Sequence, residues 1–161
     1  MSVHTDRPLD HYYYCGVCRY ALERFRVAGQ PDRFEHTHSA EGWTGPAHAP
    51  LPVPLAELVT VNMVCDVCSD KDPAWLYRFI SMGYWSQRGL EDMGGWWAIC
   101  SRCSVAVEAH DVAALVSRAE IPFVAKDTSM LGLATLLGPL YVEILAHPFE
   151  RTPAREVRSG H

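Results

Sequence analysis

All six cysteines of this 161-residue chain lie in Cys-x-x-Cys pairs: Cys15/Cys18, Cys65/Cys68 and Cys100/Cys103. Two thiolates two residues apart can share one ion, because the turn between them aims both sulfurs at a common point, and a second pair completes a tetrahedron. Three pairs are one too many for a single four-thiolate site. The pattern therefore predicts two sites, one of which recruits ligands of another kind. For an intracellular chain the pairing favours metal binding or redox chemistry over a disulfide framework.

The spacing Cys65-x2-Cys68-x31-Cys100-x2-Cys103 predicts a closed four-cysteine zinc site. Such a site is structural, since no coordination position remains for water or substrate. For Cys15 and Cys18 the expected completing ligands are histidines from the irregular segment downstream, which holds His36, His38 and His48. His36 and His38 are rivals, because residues two apart share one face of a strand. His36 is preferred, since "RFEH" reads as a strand approaching the site. "GPAHAP" reads as a turn that aims His48 inward. The expected metal ligands are thus Cys15, Cys18, His36, His48, Cys65, Cys68, Cys100 and Cys103, with two zinc ions. Binding needs neutral imidazole and ionised thiol, so acidification should discharge the mixed site first.

At 48% hydrophobic and 20% charged, the chain has enough apolar side chain for a packed core. The division expected is a zinc lobe over residues 1–52, a second zinc lobe with C-terminal helices over 53–150, and a flexible polar tail over 151–161. "PLPVPLAELVT" reads as the extended connector, its prolines lacking donors. "YALERFRVAG" suits either a short helix or a strand. "LVTVNMVC" and "WWAIC" read as strands and "SQRGLEDMGG" as a loop, while "WLYRFI" suits a helix opened by Asp72 and Pro73 or, by preference, a strand with Trp75, Tyr77 and Phe79 on one face. From Cys103 the pattern turns helical, with Asp111 able to cap a second segment. "TSMLGLATLLGPLYVEILAH" is an apolar C-terminal helix with a kink or restart at Gly138/Pro139. The fold class is α+β.

Residues 59–120, with "VCDVCSD" as a knuckle and "WWAICSRCSVAVEAHD" as strand, second pair and helix, resemble treble-clef and zinc-ribbon domains. The segment is also similar to uncharacterised small bacterial proteins that pair "CDxCS" with "WxxCxxC". These resemblances imply a metal-bound fold and no activity. Rubredoxins likewise use two such pairs around iron, but carry glycine after the second cysteine, where this chain has Ser69 and Ser104.

No phosphate loop, nucleophile elbow or His-Glu-x-x-His string occurs, and "CGVC" lacks the βαβ setting of a thioredoxin, so no enzyme is expected. A net charge of −5 disfavours nucleic-acid binding. Arg19, Arg24, Arg26 and Arg33 nevertheless could form a local basic face. The reading expected is a cytoplasmic, non-enzymatic adaptor or regulator that binds another protein, or dimerises, through the C-terminal helix. The alternatives are a nucleic-acid-binding zinc finger and a rubredoxin-like iron or thiol redox protein.

Overall fold

A computed structural model describes residues 12–58, 60–80, 83–86, 89–92, 95–124 and 133–154. The chain forms two compact units, Met1–Met63 with Arg158–His161, and Val64–Val157. The fold is α+β, with small antiparallel sheets and three α-helices. Among the described residues no helix is long and apolar enough to cross a membrane.

The first unit is a four-stranded antiparallel sheet built from β1 (Tyr13–Cys15), β2 (Ala21–Phe25), β3 (Arg33–His36) and β4 (Pro52–Pro54), in the order β3-β2-β1-β4. The segment after Cys18 is therefore strand, not helix. The hairpin β1-β2 closes over the first cysteine pair, so the ladder fixes its backbone as extended. "PLPVP" is extended as expected, but it is no linker. It pairs with β1 through Tyr14↔Val53 and Cys15↔Pro52. Its prolines suit that place, because an edge strand leaves one row of donors unused.

In the second unit β5 (Trp75–Arg78) lies between β8 (Trp96–Ile99) and β9 (Glu150–Pro153), and β6 (Gly83–Ser86) pairs with β7 (Gly89–Asp92). Three expectations fail here. Among its described residues "LVTVNMVC" enters no strand ladder, apart from an isolated bridge between Val64 and Lys71, although Val61 and Met63 are buried. Its backbone donors are used elsewhere: Leu58 N bonds to Leu55 O in a tight turn, Asn62 N to Arg19 O, and Cys65 N to Asp70 O in the knuckle. "SQRGLEDMGG" was expected as a loop, but Ser86 faces Gly89 across an antiparallel hairpin. Pairing there satisfies backbone groups internally, whatever the glycine content. Residues 87, 88, 93 and 94 of that stretch lie outside the described residues. The flexible tail expected from residue 151 does not hold over its first residues, since residues 150–153 are strand β9 and Ala154 is buried. Residues 155–161 lie outside the described residues.

Helices α1 (Ser101–Glu108), α2 (Val112–Val124) and α3 (Leu133–Leu145) complete the second unit. His110 takes a left-handed φ of 52°. Its N–H bonds to the carbonyl of Val107, and that of Asp111 to Ala106, a Schellman closure that reverses the chain. Asp111 then caps α2, its Oδ1 accepting from Ala114 N at 2.9 Å. Helix α3 runs through Pro139 without a restart, and the start of the expected segment, residues 128–132, lies outside the described residues. The core joins Tyr77, Phe79, Trp97 and Ile99 of the sheet region to Val107, Leu115, Tyr141 and Ile144 of the helices, with the four cysteines embedded in it.

Helix α1 is tied to the sheet by a polar network. Tyr77, fully buried, donates to Glu108 Oε1 at 2.6 Å and meets Ser104 Oγ at 2.7 Å. Glu108 also accepts from Arg151 of β9 at 3.1 Å. Burying the phenol is tolerable because its hydroxyl is satisfied.

The residues after the second cysteines now separate by role. Arg19 and Ser69 take left-handed φ values of 64° and 59°, where glycine fits without cost, whereas Ser104 sits in the first turn of α1. Ser69→Gly should therefore raise the unfolding free energy by about 0.5–1 kcal/mol. Ser104→Gly should lower it by about 1 kcal/mol or more, through helix entropy and loss of the Tyr77 contact. Denaturant melts of the metal-loaded protein check this, and equal signs for the two changes would refute it.

Candidate metal centres

Both knuckles are folded by one backbone pattern. Cys15 N donates to Tyr20 O at 2.8 Å and Arg19 N to Cys15 O at 2.9 Å; Cys65 N donates to Asp70 O at 2.8 Å and Ser69 N to Cys65 O at 2.8 Å. Each turn places two buried sulfurs on one side. The third pair is built differently. Cys100 is the N-cap of α1, and its sulfur accepts from Cys103 N at 3.4 Å. Strand β8 delivers Cys100, and the first helical turn delivers Cys103.

In the first unit the structure brings together Cys15, Cys18, His36 and His48, with donor atoms all within 4.8 Å of one another. His36 arrives at the end of β3, opposite Leu22. His48 comes from the loop beyond Trp43, and the two imidazoles meet edge to face at 4.8 Å between centroids. His38, the rival, opens the 3-10 turn His38–Gly42. A tetrahedron with Zn–S of ~2.3 Å and Zn–N of ~2.0–2.1 Å has S···N edges of about 3.5 Å. Cys15 Sγ and His48 Nε2 are 3.4 Å apart. Among the described residues, His36 Nε2 is the one buried side-chain nitrogen or oxygen without a hydrogen-bond partner. A buried nitrogen left so is costly unless an ion takes its lone pair.

Neighbours that carry no ligand hold His48 in place. Its Nδ1–H donates to Pro46 O at 3.1 Å, which leaves Nε2 facing the cluster. Trp43 Nε1 donates to the same carbonyl at 3.1 Å, and its ring meets the His48 ring edge-on at 5.7 Å. That indole packs against Gly45, where a Cβ would collide with Cζ2 and Cε2 of the ring. On the cysteine side, Asn62 donates from its side chain to Cys18 O at 2.9 Å and from its backbone to Arg19 O at 2.8 Å. None of these supports has a motif. They follow from loop packing, and only Gly45 next to Pro46 hints at a special turn.

In the second unit Cys65, Cys68, Cys100 and Cys103, all buried, bring their sulfurs within 4.8 Å of one another. Four sulfurs ~2.3 Å from a central ion are about 3.8 Å apart. Cys68 and Cys100 are separated by 3.8 Å. The knuckle is docked on β8 by Asp66, whose N–H donates to Ala98 O at 2.8 Å while its Oδ2 accepts from Ala98 N at 2.6 Å. Arg118 of α2 reaches the same cluster. Its Nε donates to Cys103 Sγ at 2.9 Å and its Nη2 to Cys68 Sγ at 3.4 Å. Sequence reasoning missed both residues. Asp66 stands inside the Cys-x-x-Cys turn and could have been noticed, but Arg118 reaches the sulfurs only because the His110 turn folds α2 back.

The electrostatics of the two clusters differ. Burial pushes the Cys15 thiol up, but backbone N–H groups of Cys18, Leu51 and Val17 and the adjacent His36 ring outweigh it and bring the pKa down to about 5. Burial raises Cys18. Hydrogen bonding to Pro46 O raises His48. In the second cluster Cys65 is raised by its bond to Cys103 and by burial, and Cys68 by burial first. Cys100 goes the other way: burial opposes ionisation, but the Cys103 N–H and neighbouring thiols overcome it. Four buried thiols this close cannot all ionise without a cation among them. The expected basic face is also altered. Arg24 is ion-paired with Asp32 and stacks on Tyr13, while Arg33 meets Glu35 at 3.1 Å and stacks on Phe25.

No protein-family description matches the chain, and neither does any curated protein or solved structure. What the molecule establishes by itself is its class: an α+β protein with two four-donor Cys/His clusters, each able to hold a metal ion.

Gly45→Ala should displace Trp43 and with it His48. Zinc affinity of the first cluster should fall by about 10-fold or more, as for other losses of support behind a ligand. Competition with a chromophoric chelator measures it, and unchanged affinity would show that the Trp43 platform is dispensable.

Acid should empty the clusters in order. A raised His48 pKa means that protons compete for this imidazole sooner as pH falls, whereas Cys15, already a thiolate at neutrality, holds its charge until pH nears 5. In the metal-free chain the lowered Cys15 pKa contributes stability above its unfolded value of 9.0, and this is lost as pH falls toward about 5. Zinc release followed from pH 8 downward should show two steps. His36→Ala should remove the higher-pH one, and loss of the lower step instead would reverse the assignment.

Proposed function

We propose that the protein binds two zinc ions, one in each unit, as structural elements, and that it acts as a non-enzymatic adaptor or regulator of another protein. What carries the metal reading is His36 Nε2: buried, unpartnered, and grouped with Cys15, Cys18 and His48 at spacings that suit a tetrahedral ion. The second cluster supports the same chemistry with four sulfurs. Zinc is the ion best suited to both donor sets, since it accepts thiolate and imidazole in closed four-coordinate sites. Both sets supply four protein donors, which is why a structural role is preferred to a catalytic one. Each unit is small, so ion binding would supply much of its folding free energy, on the order of 10 kcal/mol or more per site.

The adaptor reading is supported by the net charge of −5 and by large apolar side chains left at the surface, Val105 and Ile121 on α1 and α2 and Leu136 and Val142 on α3. Pairing of Arg24 and Arg33 with acidic neighbours weighs against a nucleic-acid surface, because each pairing removes positive charge available to phosphate.

Elemental analysis of the purified full chain should give about two zinc per chain in a colourless protein. Cys68→Ser and His36→Ala should each reduce the count to about one. Visible absorbance from iron would replace the zinc reading with redox chemistry, and a count near one in the unaltered chain would remove the mixed site. Mixed DNA and RNA oligonucleotides at low salt should show no binding. Steep salt-dependent binding would instead favour the nucleic-acid reading.

A further inference from the structure

We propose that Arg118 is a working part of the second metal centre: a fixed cation that caps one face of the cysteine tetrahedron and protects its sulfurs from oxidants. The inference rests on the zinc reading above and goes beyond it, by assigning a tuning role to a residue that is no ligand. The guanidinium spans three of the four sulfurs, with Nε at 2.9 Å from Cys103 and Nη2 at 3.4 Å from Cys68 and 3.8 Å from Cys100. Those three atoms define one triangular face of the cluster. Cys65, at the opposite vertex, is buried like the other three but lies away from that face.

The position of the guanidinium is built rather than incidental. Arg118 follows Leu115 and precedes Ala119, which are 1% and 3% exposed on the same helix, so packing sets the turn that carries it. The Schellman reversal at His110 and the Asp111 cap set where that helix begins. A planar fork of N–H donors can address several sulfurs at once, which the compact ammonium of lysine cannot.

The chemistry follows from charge. Four thiolates around one divalent ion leave two negative charges in excess, held in the sulfur lone pairs, and those lone pairs are what an oxidant meets. When peroxide attacks, a sulfur lone pair forms an S–O bond, the O–O bond breaks, hydroxide departs, and the resulting sulfenic acid, a poor ligand, releases the ion. Charged N–H donors on the lone pairs lower their nucleophilicity and stabilise the bound thiolate. The capped cluster thus keeps its ion under oxidising conditions that strip an uncapped one.

The test compares the zinc-loaded full chain with Arg118→Met, similar in length but neutral, and Arg118→Lys. Each is exposed to dilute hydrogen peroxide, with zinc release followed by a chromophoric chelator and oxidised cysteines assigned by peptide mass. Arg118→Met should raise oxidation of Cys68, Cys100 and Cys103 by about 10-fold, as loss of a charge-assisted hydrogen bond implies, while Cys15 and Cys18 are unchanged. Arg118→Lys should fall between the two. In the cobalt-substituted protein the sulfur-to-metal charge-transfer bands should move to lower energy in Arg118→Met. Unchanged rates at these three cysteines with both ions bound would overturn the proposal, and so would an equal rise at all six, which signals loosening of the fold. Should Arg118→Met not fold, Arg118→Lys decides alone, by a rise confined to the three sulfurs or its absence. A wild-type chain that takes up no zinc at the second cluster fails the underlying reading as well, and the zinc count shows that before any peroxide is added.

Discussion

Repulsion among buried sulfurs is the constraint on which the rest of the second unit depends. Cys65, Cys68, Cys100 and Cys103 are drawn from a knuckle, a strand end and a helix start into one apolar core. Burial and close neighbours push the Cys65 and Cys68 thiols up, while the Cys103 N–H and neighbouring thiols bring Cys100 down. The arrangement makes physical sense around a cation, and a proposed zinc ion would bind knuckle, sheet and helix through a single point. Asp66 and the Tyr77–Glu108–Arg151 network then hold those elements in register, so that the four sulfurs converge.

The first unit solves the same problem with less core. Its sheet is short, and its second pair of donors comes from the end of β3 and from an irregular loop. Ordering such a loop costs conformational entropy. Trp43, packed on Gly45 and bonded to Pro46 O, offsets part of that cost by fixing the backbone next to His48. The two clusters therefore differ in kind. One is embedded in a core and capped by a guanidinium, and the other is supported by a single aromatic platform at the edge of a small sheet.

Much of the local reading survived contact with the structure where side-chain chemistry and backbone demand agreed. Asp111 caps α2 as its position suggests, and "WWAIC" is the strand that carries Cys100. The misreadings share a cause. "LVTVNMVC" has strand composition, but its backbone donors at Leu58, Asn62 and Cys65 bond to Leu55, Arg19 and Asp70 instead of to a neighbouring strand. Residues 150–153 look like a polar tail, yet β5 has a free edge that they fill. Composition reports what a segment tolerates, while pairing depends on which backbone groups another segment leaves open.

By itself the sequence determined that donors come in sets, because Cys-x-x-Cys spacing is a property of one turn and needs no distant residue to aim its sulfurs. It also determined that two sites are needed, by the count of pairs. Tertiary structure alone decided which histidine nitrogens approach the first pair, since that depends on β3 pairing with β2, so that His36 ends opposite Leu22, and on Trp43 steering the loop. It alone placed Arg118 over the second cluster, because a cation in the middle of a helix acquires a partner only when the chain reverses and lays that helix against the sulfurs.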